Sequence, residues 1–548
     1  MPPAPPEIGP LPKALVQAHD QWYPWEKGPQ GTPAKPLVEL AMVHLSSVLR
    51  SKPSWWTKFR DPDILAKWRA EALEQTELLK GSHIDYVLKE LDGYANLRDE
   101  ETGAEVACYD LIWKSDRLIS PQLKDNLISG VSELENVPES EKDWHPDSNG
   151  TVLDLVHPSL YPIVYGRTLA YPSEQVTREA DNLETMSPPE YHIPESRSRG
   201  QRTSNYHLSK KFQWLPTDFI VSEDSKSVKS VSYINNLHPD EHSNLHSTIE
   251  RIIGAFIPLF ERVLTDSVPK NKAVPTRTNN SYQYDVTDYA PNPDYSEHGD
   301  MEEYERLYQE WEDGRPIQLP DVSPEGYVLG SLESRDTWYS LAGRTIQVIV
   351  KLANIHLSPE KPEYTGGSWH IEGMGNEAIA ASGIYYYDED NITESQLAFR
   401  TAAAIPYTYE QWDERGCVLT CQDRAICFPN IYQHKVSPFE LKDKTKPGHR
   451  KILALFLVDP AIHIPSTTTV PPQQHDWRTK TISADPKLKA IFEKLSPEII
   501  SHIDALAGGT MTREEAEAYR LGLMEERKVY VAKNDKKFFR VKFDMCEH

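Results

Sequence analysis

Residues 344–357 read RTIQVIVKLANIHL. This apolar run reads as a strand. Similar short apolar runs follow, separated by turn-like residues: EAIAASGIYYYDED (377–390), SQLAFRTAAAI (395–405), CVLTCQDRAICFP (417–429), HKVSPFEL (434–441) and HRKILALFLVDP (449–460). This rhythm predicts a jelly roll or barrel, with its core at residues 327–470.

Outward from this core the pattern changes. PLVELAMVHLSSVLR (36–50) spaces Leu37, Leu40, Val43 and Leu49 at helical intervals, so residues 37–150 read as a helical region. Residues 1–36 are a Pro-rich arm, and 151–265 are mixed α/β sequence flanking the core. Ile249 to Leu264 reads as a buried helix within that segment. Residues 266–326 form an acidic insertion, densest over 283–313, and read as a solvated face or partly helical lid. Residues 471–548 are helical again, with a capping box at Thr512–Glu515. The expected fold is therefore α+β, a jelly-roll core wrapped by N- and C-terminal helices.

Composition narrows the function. The chain has 548 residues with 13 Trp, 27 Tyr and 13 Phe, enough for a large core. Its 59 basic and 83 acidic residues give a net charge of −24, which disfavours nucleic acid and anionic membranes as partners. No apolar run is long enough to span a bilayer, and the start, MPPAPPEIGPLPK, has no apolar secretory segment. Cys108, Cys417, Cys421, Cys427 and Cys546 make no disulfide framework, so a reducing compartment, the cytoplasm, is expected.

The chemistry centres on GGSWHIEGMGNE (366–377). On an extended chain His370 and Glu372 point to the same side. An imidazole and a carboxylate then need one more imidazole to hold a divalent metal on one octahedral face. His434, on a later strand, is the first choice; His449 and His463 compete. Arg450 follows at the head of an apolar strand, where an inward charge needs an anionic partner. His449, its neighbour, would then face outward.

This order, His-x-Glu, a distal His and then an Arg, resembles the Fe(II)- and 2-oxoglutarate-dependent oxygenases. The resemblance implies a double-stranded β-helix core of the jelly-roll or cupin-like type. It implies Fe(II) held by His370, Glu372 and His434, with these three as the catalytic centre. It also implies 2-oxoglutarate held through its distal carboxylate by Arg450. In the nucleic-acid-demethylating branch an Asn-x-Tyr on the preceding strand binds the cosubstrate. Asn354-x-His356 looks similar, with His in place of Tyr. The implied partners are O₂ and a small-molecule substrate, most simply hydroxylated as the ketoacid becomes succinate. Three other readings stay open: a cupin-like metalloenzyme without 2-oxoglutarate, a non-catalytic barrel scaffold, and a protein hydroxylase that reads a peptide, which the acidic 283–313 segment could attract. Over roughly residues 30–548 the chain also resembles a family of large uncharacterised proteins found in fungal genomes.

Overall fold

In the computed structural model the described residues are 35–535, except 76–77, 173–181, 190–206, 269–270, 272–275, 279–282, 285–289, 299, 315–316, 319, 405–409, 497, 501–502 and 504–507. The expected Pro-rich arm therefore lies almost wholly outside the described residues.

Helices and antiparallel strands are mixed along the chain. The helices that matter here are α1 (Leu37–Arg50), α2 (Pro62–Gln75), α3 (Gly81–Leu97), α4 (Pro121–Glu135), α5 (Ser243–Ser267), α6 (Met301–Gly314), α7 (His475–Ala484) and α8 (Arg513–Asn534). The strands are β1 (Glu105–Val106), β2 (Trp113–Ser115), β3 (Val152–Val156), β4 (Thr217–Val221), β5 (Val228–Ser230), β6 (Thr345–Leu357), β7 (Ile379–Asp390), β8 (Ser395–Ala404), β9 (Glu410–Thr420), β10 (Ala425–Pro429), β11 (His434–Val436) and β12 (Gly448–Val458).

Nine strands form the larger sheet, in the order β5-β4-β6-β12-β7-β10-β2-β1, with β3 also paired to β6. Its centre is the antiparallel pair β6–β12, in register from Val348 opposite Leu457 to Leu357 opposite Gly448. The smaller sheet holds β8 and β9, with β11 and Lys35–Pro36 also paired to β8. The sheet recruits β1 and β2 from the segment expected to be purely helical, because they extend its edge beyond β10.

Alternation along β6 explains the layers. Ile346, Val348, Val350 and Leu352 join a core with Ile249, Ile252, Phe256 and Phe260 of α5. Ile349 belongs instead to the core with Leu397 and Phe399 of β8 and Val418 of β9. Successive side chains point to opposite faces, so one face of the larger sheet packs on helices and the other on the smaller sheet. Such a strand, buried on both faces, reads as a near-continuous apolar run.

At α8 the capping box expected from sequence is present. Thr512 Oγ1 accepts from the Glu515 N–H at 3.2 Å, and Glu515 Oε2 accepts from the Thr512 N–H at 3.0 Å. The acidic stretch 283–313 contributes α6, within its described residues. Among the described residues no helix is long and apolar enough to cross a membrane.

The approach of α5 to β7 is close. A Cβ added at Gly383 would stand 2.8 Å from the Phe256 ring and 3.2 Å from Phe260. Neither ring has room to retreat in a close-packed core. Gly383→Val is expected to destabilise the protein by about 1–3 kcal/mol, read as a lowered urea midpoint. An unchanged midpoint would contradict this packing.

Candidate metal centre

The segment after β6 returns to the smaller sheet through a single antiparallel bridge. The His370 N–H donates to the His434 carbonyl at 3.1 Å, and the His434 N–H donates back at 3.0 Å. Directly opposed residues of an antiparallel pair share a face. The two imidazoles therefore stand together, ring centroids 4.5 Å apart. Glu372, two residues on, falls on the same side.

A side chain extends the pairing where the backbone cannot. Asn430 Oδ1 accepts from the Glu372 N–H at 2.8 Å, and Asn430 Nδ2 donates to the Glu372 carbonyl at 2.8 Å. The amide thus acts as a strand neighbour for Glu372. The following loop is held by Glu377, which is fully buried. Its Oε2 accepts from the Met374 N–H at 2.6 Å, and its Oε1 accepts from the Trp214 N–H at 2.8 Å and from Arg527 Nη2 at 2.7 Å. Arg527 comes from α8 and stacks over the Trp214 ring at 3.6 Å. Tyr530 of the same helix packs on Ile371 and Met374.

The donor atoms converge. Glu372 Oε1 lies 3.5 Å from His370 Nε2 and 3.3 Å from His434 Nε2. His370 donates its Nδ1–H to the Ser368 carbonyl at 2.8 Å, since a carbonyl can only accept. Nε2 then faces the Glu372 carboxylate oxygen, with either a proton or a metal ion able to lie between them. Burial opposes a charge on His370, but the Glu372 carboxylate and the Ser368 carbonyl hold its pKa above the ordinary histidine value. Burial would raise Glu372, yet the two imidazoles hold it well below the carboxylate range. Burial and the neighbouring His370 lower His434. Two imidazole nitrogens and one carboxylate oxygen, with one Nδ1 fixed from behind, could together hold a divalent metal ion. The rings of Phe428 and Phe399 stand 4.8 and 6.2 Å from His434 and exclude water from that side.

The other residues singled out from sequence fall in different places. Arg450 is buried and shares the inner face with its pairing partner Ile355. Its Nη2 already meets Glu389 Oε2 at 3.0 Å, while Nε and Nη1 are buried with no hydrogen-bond partner. Asn354 and His356 need correction as cosubstrate ligands. They sit on the opposite face of β6, where Asn354 Nδ2 donates to Glu135 of α4 at 2.6 Å and its Oδ1 accepts from Tyr387 at 3.2 Å. His356 lies there beside Trp144. His449 also faces outward and pairs with Asp388 at 2.9 Å. His463 is exposed after β12. Asn430, Glu377 and Arg527 carry no spacing signal that sequence reading could have used.

A second group brings His145, Asp154 and His157 together. His145 Nδ1 donates to Asp154 Oδ2 at 2.7 Å, and His157 Nδ1 accepts from the Ser159 N–H at 3.2 Å. Arg520 Nη1 of α8 stands 3.8 Å from Asp154 Oδ2. One nitrogen of each ring is thus engaged, while Asp154 Oδ1 is buried without a hydrogen-bond partner, so this group too could hold a cation. It ties α8 to β3.

A family model described as "Protein of unknown function (DUF4246)" matches residues 81–481, and one described as "Domain of unknown function DUF4246, N-terminal" matches residues 12–71. The chain belongs to the DUF4246 family. No curated protein matches this DUF4246 chain. Among solved structures it is similar to IDO from Bacillus thuringiensis, at 12% identity over 21% of this chain and 50% of that one, TM-score 0.16. The chain thus spans half the length of that relative. It is similar to the Fe(II)/(alpha)ketoglutarate-dependent dioxygenase TqaL, at 10% identity over 64% of this chain and 96% of that one, TM-score 0.22. It is also similar to a bsmA homolog from Methylobium petroleophilum PM1, at 14% identity over 27% of this chain and 57% of that one, TM-score 0.15. At these TM-scores the likenesses carry no argument about fold or function.

Two outcomes follow from the geometry. Asn430→Ala removes the amide that aligns Glu372 and is expected to weaken Mn(II) binding about 10–100-fold in calorimetric titration. Burial alone would raise the Asp154 carboxyl, but His157, the His145 hydrogen bond and Lys351 hold it down to about 2, against an ordinary 3.8. Its stabilisation, on the order of 2 kcal/mol, is complete above about pH 4 and lost as the pH falls toward 2. Asp154→Asn should flatten that part of the acid dependence in urea unfolding.

Proposed function

We propose that this protein is an Fe(II)/2-oxoglutarate-dependent dioxygenase that hydroxylates a small molecule. The observation that carries the reading is the convergence of His370 Nε2, Glu372 Oε1 and His434 Nε2 between two facing sheets. In this reading the two sheets are the halves of a double-stranded β-helix, and residues 327–470 are its catalytic core. Bound at these donors, Fe(II) supplies the oxidising chemistry, with O₂ as oxidant and 2-oxoglutarate decarboxylated to succinate as the substrate is hydroxylated.

The chain's own groups then have defined tasks. His370, Glu372 and His434 hold the iron. Ser368 fixes the His370 tautomer, and Asn430 fixes the direction of Glu372. Arg450 offers its two unpartnered donors to the distal carboxylate of the cosubstrate. Phe399 and Phe428 exclude water, which strengthens each electrostatic contact. The four described cysteines are free thiols, which suits a reducing compartment such as the cytoplasm.

One observation favours a second reading. Glu389 already supplies Arg450 with an anion, as a cupin-like metalloenzyme without 2-oxoglutarate would require. Anaerobic Fe(II) titration with and without 2-oxoglutarate separates the two. The expected result is a visible charge-transfer band in the wild type, absent in His434→Ala. Arg450→Ala should need about tenfold or more additional 2-oxoglutarate to reach it. Iron bound without the band would establish the cupin-like reading, and no iron would leave a non-catalytic scaffold.

A further inference from the structure

The segment before β3 folds back on it as a short hairpin. The His145 N–H donates to the Val152 carbonyl at 2.8 Å, and the Asp154 N–H donates to the Asp143 carbonyl at 2.9 Å. Trp144 opposes Leu153 between them. The turn is made with Asp147, Asn149 and Gly150, all at positive φ. Trp144 and Leu153 therefore point to one side, and His145 and Asp154 to the other. His157 follows the end of β3, where Asn236 Nδ2 donates to its carbonyl at 2.9 Å and the Leu160 N–H does so at 3.1 Å. The backbone thus gathers two imidazoles and a carboxylate from residues 145–157 alone.

One nitrogen of each ring and one carboxylate oxygen lie within 4.8 Å of one another. The imidazole centroids are 5.2 Å apart. The Asp154 side chain is 1% exposed, and its Oδ1 has no hydrogen-bond partner. Its neighbours leave that oxygen bare. His145 Nδ1 donates to Oδ2 at 2.7 Å, and Arg520 stands 3.8 Å from the same oxygen. The Arg520 guanidinium is itself paired with both Asp143 oxygens at 2.8 Å, where Arg513 also binds at 2.9 Å. Lys351 acts on Asp154 through its charge and makes no hydrogen bond to Oδ1. A buried carboxylate oxygen without a partner is costly, and a cation shared with the two imidazoles removes that cost.

We propose that His145, Asp154 and His157 form a second divalent-metal site, with three protein ligands and a water, distinct in every ligand from the His370–Glu372–His434 centre. Nitrogen and oxygen donors in this number suit Zn(II), and part-exposed His145 leaves the fourth position to solvent. The ion fixes the hairpin on which α8 is seated through Asp143. The His145–Asp154 pair opens from 2.7 Å to about 3.3 Å on a tetrahedral ion, and part-exposed His145 can turn to allow it. Ligation by His157 gives up the Ser159 bond whichever nitrogen is used. Nδ1 cannot ligate and accept together, and ligation through Nε2 puts the ring proton on Nδ1. At 3.2 Å that bond is a long one.

The test uses the full chain in a background that lacks the first centre, His370→Ala/Glu372→Ala. Chelator-stripped protein is titrated with Zn(II) against a chromophoric chelator, and in parallel with Co(II). One Zn(II) should bind per chain, and Co(II) should give the intense visible band of a four-coordinate ion. Adding His145→Gln or Asp154→Asn should weaken Zn(II) binding about 100-fold or more, since outer-shell changes alone cost about 10–100-fold. His145→Gln keeps a hydrogen-bond donor for Asp154, so its zinc-free urea midpoint should stay near that of the background. Zn(II) should raise the midpoint of the background and not of His145→Gln.

No stoichiometric Zn(II) in the background overturns the proposal, as does equal affinity in His145→Gln and Asp154→Asn. Zinc that binds without raising the background's urea midpoint overturns it too. None of these outcomes bears on the dioxygenase reading, because the background has lost His370 and Glu372.

Discussion

Two backbone hydrogen bonds, His370 to His434 and back, join the loop after β6 to the smaller sheet. They decide which side chains meet. Once the residues oppose each other in an antiparallel bridge, their imidazoles share a face, and alternation brings Glu372 to the same side. The rest of the centre supports that bridge. Asn430 continues the pairing where the backbone cannot, Glu377 gathers three donors beneath the loop, and α8 closes over it through Arg527 and Tyr530. The C-terminal helix is therefore part of the site's architecture, although its sequence is polar and carries none of the donor residues.

The charges near the centre are sorted by the two faces of the β6–β12 pair. On the helix-facing side Lys451, Asn354 and His449 are matched by Glu135 and Asp388. These are ordinary ways to satisfy polar groups between a sheet and a helix. On the inner side Arg450 meets Glu389 through Nη2 and keeps Nε and Nη1 without a hydrogen-bond partner.

Much of this was legible in the chain. The strand rhythm of 344–460 located β6 to β12, the Ile249–Leu264 periodicity located α5, and Thr512–Glu515 located the start of α8. His-x-Glu with a distal His named the three residues that converge. The choice of His434 over His449 followed from simple alternation, because Arg450 and His449 must face opposite ways. Asn354 and His356 were named from the resemblance to Asn-x-Tyr, and they lie on the other face of β6. Their spacing fits a strand, but β6 is apolar at both even and odd positions, so nothing in its pattern marks which face turns inward.

By itself, the sequence determined where strands and helices run, and which residue types could form a metal site. Those properties depend on local periodicity and on side-chain chemistry, both written in consecutive residues. Only the tertiary structure decided which face of β6 looks at the smaller sheet, that Glu389 meets Arg450, and that Asn430 aligns Glu372. The reason is physical. The face of a doubly buried strand is chosen by the layers that pack on it, and those layers come from α4 and α5 on one side and β8, β9 and β11 on the other, far away in the chain.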